Sequence, residues 1–513
     1  MLSLATSVAA SLAGYAADNP YASYYEGLPF EMPVVQAPSF PSIRADIGEY
    51  GAVGDGKTLN TEAFAKAIAD INAKGGGTLN VTGGVWLTGP IELRSNINLH
   101  LEEDAVIVFD PDENLYATRY VTYEGFEAWR TQSPISGYDL ENVAITGKGL
   151  IDGSGGMWRP VKKDKMSSAE WKNLTACGGI VEDNVWYPSQ GYIDGMKLDS
   201  RRAQLTEREA AAIKRYLRPV MVQLVRCKNV MLEGVTFQNS PAWNIHPLMC
   251  ENLIVDGVVI RNPYYAQNGD GLDVESCRNV IICRSTLDVG DDAICLKSGK
   301  DEAGRRRGIP TENVIVRDCR VFHGHGGFVV GSEMSGGVNN VSVADCQFSG
   351  TDVGLRFKST RGRGGIVRNI HIDNINMIGI TGDAITFDLY YWVKTPLKTI
   401  PPVDETTPRF CDIFINGVTS YNSGKALKFN GIPEMPIENI RVSNSTFTAI
   451  EGGLLSESVK IDFNNVTIVP VAGPAMTVNN VRDATFTGCD FVSPAGTEPI
   501  VYTGTNSGID ISK

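Results

Sequence analysis

The chain has 513 residues, 42% apolar and 20% charged, a balance that belongs to folded globular proteins and excludes a disordered chain. A formal net charge of −13 argues against a nucleic-acid binder, which needs a basic footprint. No run of 18 or more apolar residues occurs, which excludes a membrane-spanning helix.

The first 45 residues read as an N-terminal extension. MLSLATSVAASLAGYAAD is apolar and small, with small-residue cleavage positions at Ala16 and Ala17, yet no Lys or Arg occurs before Arg44. Two readings stand, an atypical export-signal remnant or a flexible extension, and the substrate implied below favours export. From residue 46 onward a single domain is expected. TEAFAKAIADINAK follows the N-cap candidates Asn60 and Thr61, puts Phe64, Ala67, Ile68 and Ile71 on one helical face, and stops at Gly75–Gly77. Its expected role is to cap the open end of a stack of strands.

Units of the form N-[VIL]-x-[VIL]-x-x-x-x-[FVI] then begin at Asn142, Asn229, Asn252, Asn279, Asn313, Asn340, Asn369 and Asn439. Between 229 and 369 their spacings are 23, 27, 34, 27 and 29 residues. Short alternating strands separated by Gly, Asn, Asp and Ser turns at this period, without intervening helices, predict an all-β right-handed parallel β-helix. The recurrent Asn is either a side-chain ladder or a plain turn residue. Cys227, Cys250 and Cys277 each open a C-x-N unit, so they are expected as stacked thiols and not as bridges or metal ligands. The rhythm breaks at about 155–218, a segment containing Trp186, Tyr187, Lys162 and Lys163; insertions project from one face of a solenoid, and these residues favour a wall over a groove.

The chemistry-bearing residues fall in one window. N-G-D-G spans Asn268–Gly271, G-D-D spans Gly290–Asp292, G-H-G spans Gly324–Gly326 and R-F-K spans Arg356–Lys358. Asp270 and Asp291 lie 21 residues apart, close to one coil, so Asp270, Asp291 and Asp292 are expected on one face. Crowded carboxylates cannot all ionise easily, which leaves one as a proton donor. Arg356 and Lys358 alternate with Phe357 and so point to one side of a strand. With Lys297, Lys300, Arg305–Arg307, Arg361 and Arg363 they form the local basic patch that an acidic partner of so acidic a protein requires. His246 reads as structural, His323 as a neighbour of the site, and Tyr390 and Tyr391 as candidates to stack on a sugar. The competing reading of Asp291–Asp292 is a calcium-binding or turn pair.

These four motifs, in this order and spacing, resemble the polygalacturonase family (glycoside hydrolase family 28), whose pattern is N-T-D, D-D, G-H-G and R-I-K; Gly269 and Phe357 are the departures. The resemblance runs from about Asp46 to at least Trp392, and the insertion with the G-G-F-V-V-G-S-E-M-S-G-G-V run is most similar to bacterial exo-acting members. It implies hydrolysis of α-1,4-galacturonan with inversion, on an acidic polysaccharide or oligosaccharide substrate outside the cytoplasm (secreted or periplasmic), with no cofactor and no metal. Carried over by motif, Asp291 is the general acid, Asp270 and Asp292 hold and deprotonate water, His325 tunes the acid or contacts the sugar, Arg356 and Lys358 take the galacturonate carboxylate, and Asn268 bonds substrate. The alternatives are a hydrolase of rhamnogalacturonan or another branched-pectin backbone, a pectate lyase, and a non-catalytic glycan-binding β-helix.

Overall fold

In a computed structural model, the structure describes residues 19–393 and 399–512. The candidate cleavage positions Ala16 and Ala17 lie outside the described residues. The repeats stack as the expected parallel β-helix, with three columns of short strands in parallel register. One column runs through Ile135–Tyr138, Val222–Val225, Ile245–Leu248, Leu272–Glu275, Asp292–Lys297, Gly326–Gly331, Leu355–Lys358 and Asp383–Asp388. A second runs from Ile97–Leu101 through Glu141–Gly147, Lys228–Glu233, Glu251–Asp256 and Arg278–Cys283 to Thr311–Arg317. The third includes Gly84–Thr88 and Ala105–Phe109 and passes through Thr236–Gln238 and Thr286–Asp288. Inward residues of all three fill one continuous apolar core. Phe357 stacks on Phe387 there, ring centroids 4.5 Å apart, and so fixes the orientation of its neighbours Arg356 and Lys358.

The helix Thr61–Ala73 caps the stack and buries Phe64, Ala67, Ile68 and Ile71, as its pattern predicts. Asn60 makes no side-chain cap; its amide instead ties Val53, Thr58 and Leu87 together. Each repeat Asn proves to be ladder and turn residue at once. Asn96, Asn142, Asn229, Asn252, Asn279, Asn313, Asn340 and Asn369 all have φ between 53° and 61°, the left-handed region that Asn tolerates best after Gly. Each of the last seven donates its amide to the Asn one coil before, at 2.7–3.2 Å. All ten cysteines are free, and Cys227, Cys250 and Cys277 are buried in one stack, the Cys250 amide donating to Cys277 Sγ at 3.3 Å.

Two excursions build above the first column. Ile135 pairs with Val222, 87 residues later, where neighbouring coils need 22–34. Most of that interval is the predicted insertion, folded into a small antiparallel sheet (Val161–Lys162, Ile180–Glu182, Val185–Tyr187) and the helices Ser168–Ala176, Gln190–Lys197 and Glu207–Ala212. The hairpin Thr118–Tyr123 with Phe126–Thr131, not anticipated from the sequence, stands beside it. On another face, residues 19–43 are a strap along the outside of the second column. Tyr21, Tyr24 and Val35 cover the outward-facing Ile254, Ile281 and Ile315, and the two tyrosine hydroxyls donate to Asp256 and Asp318, each at 3.0 Å.

Candidate active site

The first column places the four motifs on adjacent coils. Leu272 pairs with Ile294, so the coil here is 22 residues and Asp292, not Asp291, lies directly beside Asp270; Asp291 is offset by one position. The next coil sets Gly326 beside Asp292, and the His325 amide donates to the Asp291 carbonyl at 2.8 Å. Gly324 is required there. Its φ is +143°, and a Cβ would lie 2.7 Å from the Asp291 carbonyl oxygen. The three carboxylates converge until one oxygen from each lies within 4.8 Å of the other two.

Their surroundings differ sharply. Asp270 is buried, and its Oδ1 has no hydrogen-bond partner among the described residues. Burial, then the neighbouring charges of Asp291 and Asp273, push its carboxyl well above the usual range. Asp292 is buried as well, which disfavours its charge, but Lys358, Arg356 and Lys297 overcome that and hold it well below the usual range. Lys358 Nζ lies 2.5 Å from Asp292 Oδ2 and Arg356 3.3 Å from Oδ1. Asp291 is the most open of the three, its side chain 19% exposed, with His325 Nδ1 3.0 Å from its Oδ1. That hydrogen bond raises the His325 pKa against the effect of burial.

The expected patch thus divides. Arg356 and Lys358 point to one side, as predicted, but both are engaged with Asp292. Lys297, Lys300 and Arg363 line the cleft. Arg307 and Arg361 are instead spent on Glu275 and Glu434, and Arg305 on the carbonyl of Gly362. Asn268 reaches the cleft, its Oδ1 accepting from Arg218 at 2.9 Å. His246 is fully buried against Glu275 at 2.9 Å, hence structural, and His323 is an exposed neighbour paired with Asp288. Tyr391 lines the cleft, with Lys358 Nζ 5.0 Å from its ring centre; Tyr390 packs under Arg361.

Beneath the triad lies a charge layer that motif reading passed over. Asp273 is fully buried and sits 3.5 Å from Lys297, which also pairs with Glu333 at 3.0 Å and rests 4.7 Å from the centre of a Trp243 ring. The signal was available in register: Asp273, Cys295, Val329 and Arg356 occupy equivalent positions on four successive coils. The carboxylate oxygens are close enough to share a cation. Lys358, Arg356 and Lys297 already supply the positive charge a metal would bring, so the donor set is neutralised by the protein itself.

The cleft encloses about 600 Å3, with Pro160, Lys162 and Lys165 of the insertion forming its wall. Paired carboxylates of opposed proton affinity, in a groove rimmed by cations on a parallel β-helix, form a site able to donate and to accept a proton. Comparison with known proteins agrees. The model of glycosyl hydrolases family 28 matches residues 191–474. A probable polygalacturonase of Vitis vinifera is 30% identical over 419 residues, covering 78% of this chain and 74% of that protein. An exo-poly-alpha-D-galacturonosidase of Dickeya chrysanthemi is 28% identical over 435 residues, covering 82% and 70%. The exopolygalacturonase of Thermotoga maritima, a solved structure, shares the fold at a TM-score of 0.72 and 33% identity, covering 84% of this chain and 93% of that one. The chain belongs to glycoside hydrolase family 28.

Proposed function

We propose that the chain hydrolyses α-1,4-galacturonosyl bonds of pectin-derived galacturonan from a chain end, with inversion at the anomeric carbon. The observation that carries the reading is the split in proton affinity within the triad, which supplies a donor and an acceptor in one cluster. Asp291, the more open of the three, delivers a proton to the leaving oxygen, with His325 Nδ1, 3.0 Å from its Oδ1, orienting it. Asp292, kept ionised by Lys358 and Arg356, takes a proton from water held between it and Asp270, whose Oδ1 is free to accept a bond. Arg356, less buried than Lys358, extends its remaining donors to the substrate carboxylate, and Asn268 offers its amide to a sugar hydroxyl. The wall of Pro160, Lys162 and Lys165 and the names of the exo-acting relatives support attack at an end. Such a substrate lies outside the cell, so the proposal carries export with it.

The triad oxygens are closer than the roughly 6.5–9.5 Å usual between inverting carboxylates, where retaining pairs sit at about 5 Å. Stereochemistry is therefore the decisive measurement. A timed product profile on de-esterified oligogalacturonides, with proton NMR of the first-formed anomer, is expected to show small product from the outset with inverted configuration. Retained configuration would make one Asp a nucleophile, a spread of oligomers would make the enzyme endo-acting, and an unsaturated product in the ultraviolet would make it a lyase.

A further inference from the structure

We propose that the basin beside the catalytic cleft is a second uronate-binding subsite, in which Arg130 and Arg218 take the carboxylate of a sugar beyond the two that flank the cleaved bond. This rests on the galacturonan reading above. The basin encloses about 560 Å3 between the hairpin and the insertion. It is continuous with the cleft, since Glu124, Pro160, Lys162, Gln267, Asn268 and Lys300 border both.

Its charge is unbalanced. Arg130 is 5% exposed and Arg218 7%, yet neither has a carboxylate within ion-pair distance among the described residues. The guanidinium of Arg130 donates only to the Arg218 carbonyl and lies 3.8 Å from the centre of the Tyr123 ring. Arg218 donates to the carbonyls of Pro241 and Gln267 and to Asn268 Oδ1, all neutral. The two acids on the rim are already engaged: Glu124 with Arg202, and Asp199 with the Tyr216 hydroxyl. Lys162 and Lys300 add charge without a partner in ion-pair distance among the described residues. Buried cations elsewhere meet anions, Lys358 on Asp292 and Lys297 on Glu333. Arg159 is the other buried arginine without one, but it is tied to Asn239 and Ser240 and does not border the basin.

An unpaired buried charge is costly, so two of them facing one cavity mark a place where an anion completes the pairing. The planar fork of Arg matches a carboxylate. Tyr187, Tyr192 and Tyr216 give the basin flat apolar walls suited to a sugar ring. Arg218 also grips Asn268, two residues from Asp270, so occupancy of the basin is transmitted to the turn that carries the triad.

The test compares digalacturonate, which spans only the cleaved bond, with trigalacturonate. In Arg130→Gln the preference for the trimer in kcat/KM is expected to fall about tenfold or more, as for a lost charge-assisted hydrogen bond. An equal change on both lengths, or none, overturns the subsite. Independently of that variant's folding, wild-type enzyme is given trigalacturonate whose terminal carboxylate, at each end in turn, is reduced to the alcohol. The trimer altered at the sugar farthest from the cleaved bond is expected to react no faster than digalacturonate, and retention of the trimer advantage there overturns the inference. Absence of turnover on every galacturonate by the wild type would instead sink the hydrolase reading, and the subsite with it.

Discussion

Asp270 and Asp292 lie side by side on adjacent coils, and their neighbours drive them to opposite protonation states. Burial and Asp291 raise the Asp270 carboxyl, so the folded protein binds that proton more tightly than the unfolded chain does. The resulting stability is present in acid and is lost as pH rises through the raised value. Asp270→Asn removes that loss. The variant is expected to be more stable than wild type at neutral pH, with the gain vanishing in acid, while kcat falls by about 10²–10⁴-fold, the usual contribution of general acid–base catalysis. Denaturant melts at two pH values together with turnover check it. For Asp292 the sign is opposite. Despite burial, Lys358 leads the cations that lower it, so its ionisation stabilises the fold above the ordinary carboxylate range and that contribution is lost as pH falls through the depressed value. Lys358→Met is therefore expected to move the acid limb of the kcat/KM profile to higher pH; an unmoved limb would separate Lys358 from Asp292.

At the scale of the element, the Asn ladder holds the turns of the second column. Asn279, 6% exposed, donates to Asn252 at 3.2 Å and accepts from Asn313 at 3.1 Å, at φ 58°. Asn279→Ala loses both bonds, about 1 kcal/mol each, and places Ala in a left-handed conformation costing about 1–2 kcal/mol. A destabilisation of roughly 3–4 kcal/mol is expected, and less for Asn279→Gly, which keeps the backbone and loses only the bonds. Equal losses in the two variants, read from denaturant midpoints, would show that conformation contributes nothing. The ladder was half legible. The spacing of the Asn residues announced a repeated turn, but only the stacking of coils shows that each amide reaches the one before.

For the whole molecule, the strap ties several coils together from outside. It covers Ile254, Ile281 and Ile315, and Arg284 joins Asp256 to Tyr24. A chain beginning at Pro41 is expected to lose roughly 3–6 kcal/mol from the two tyrosine–carboxylate bonds alone. Turnover per folded molecule should be retained, because the strap and the cleft occupy different columns; a proportional loss of activity would show that the columns are coupled. By itself the sequence determined the β-helix, the capping helix, the triad and the paired Arg356 and Lys358, because each is written in local spacing that recurs from coil to coil. The tertiary structure alone decided that Asp292 lies beside Asp270, that Lys358 neutralises Asp292, that Lys297 bridges Asp273 and Glu333, and that Arg130 and Arg218 meet without an anion. Protonation and ion pairing depend on burial and on which distant residues become neighbours, and here that is fixed by register and by a pairing such as Ile135 with Val222, 87 residues apart.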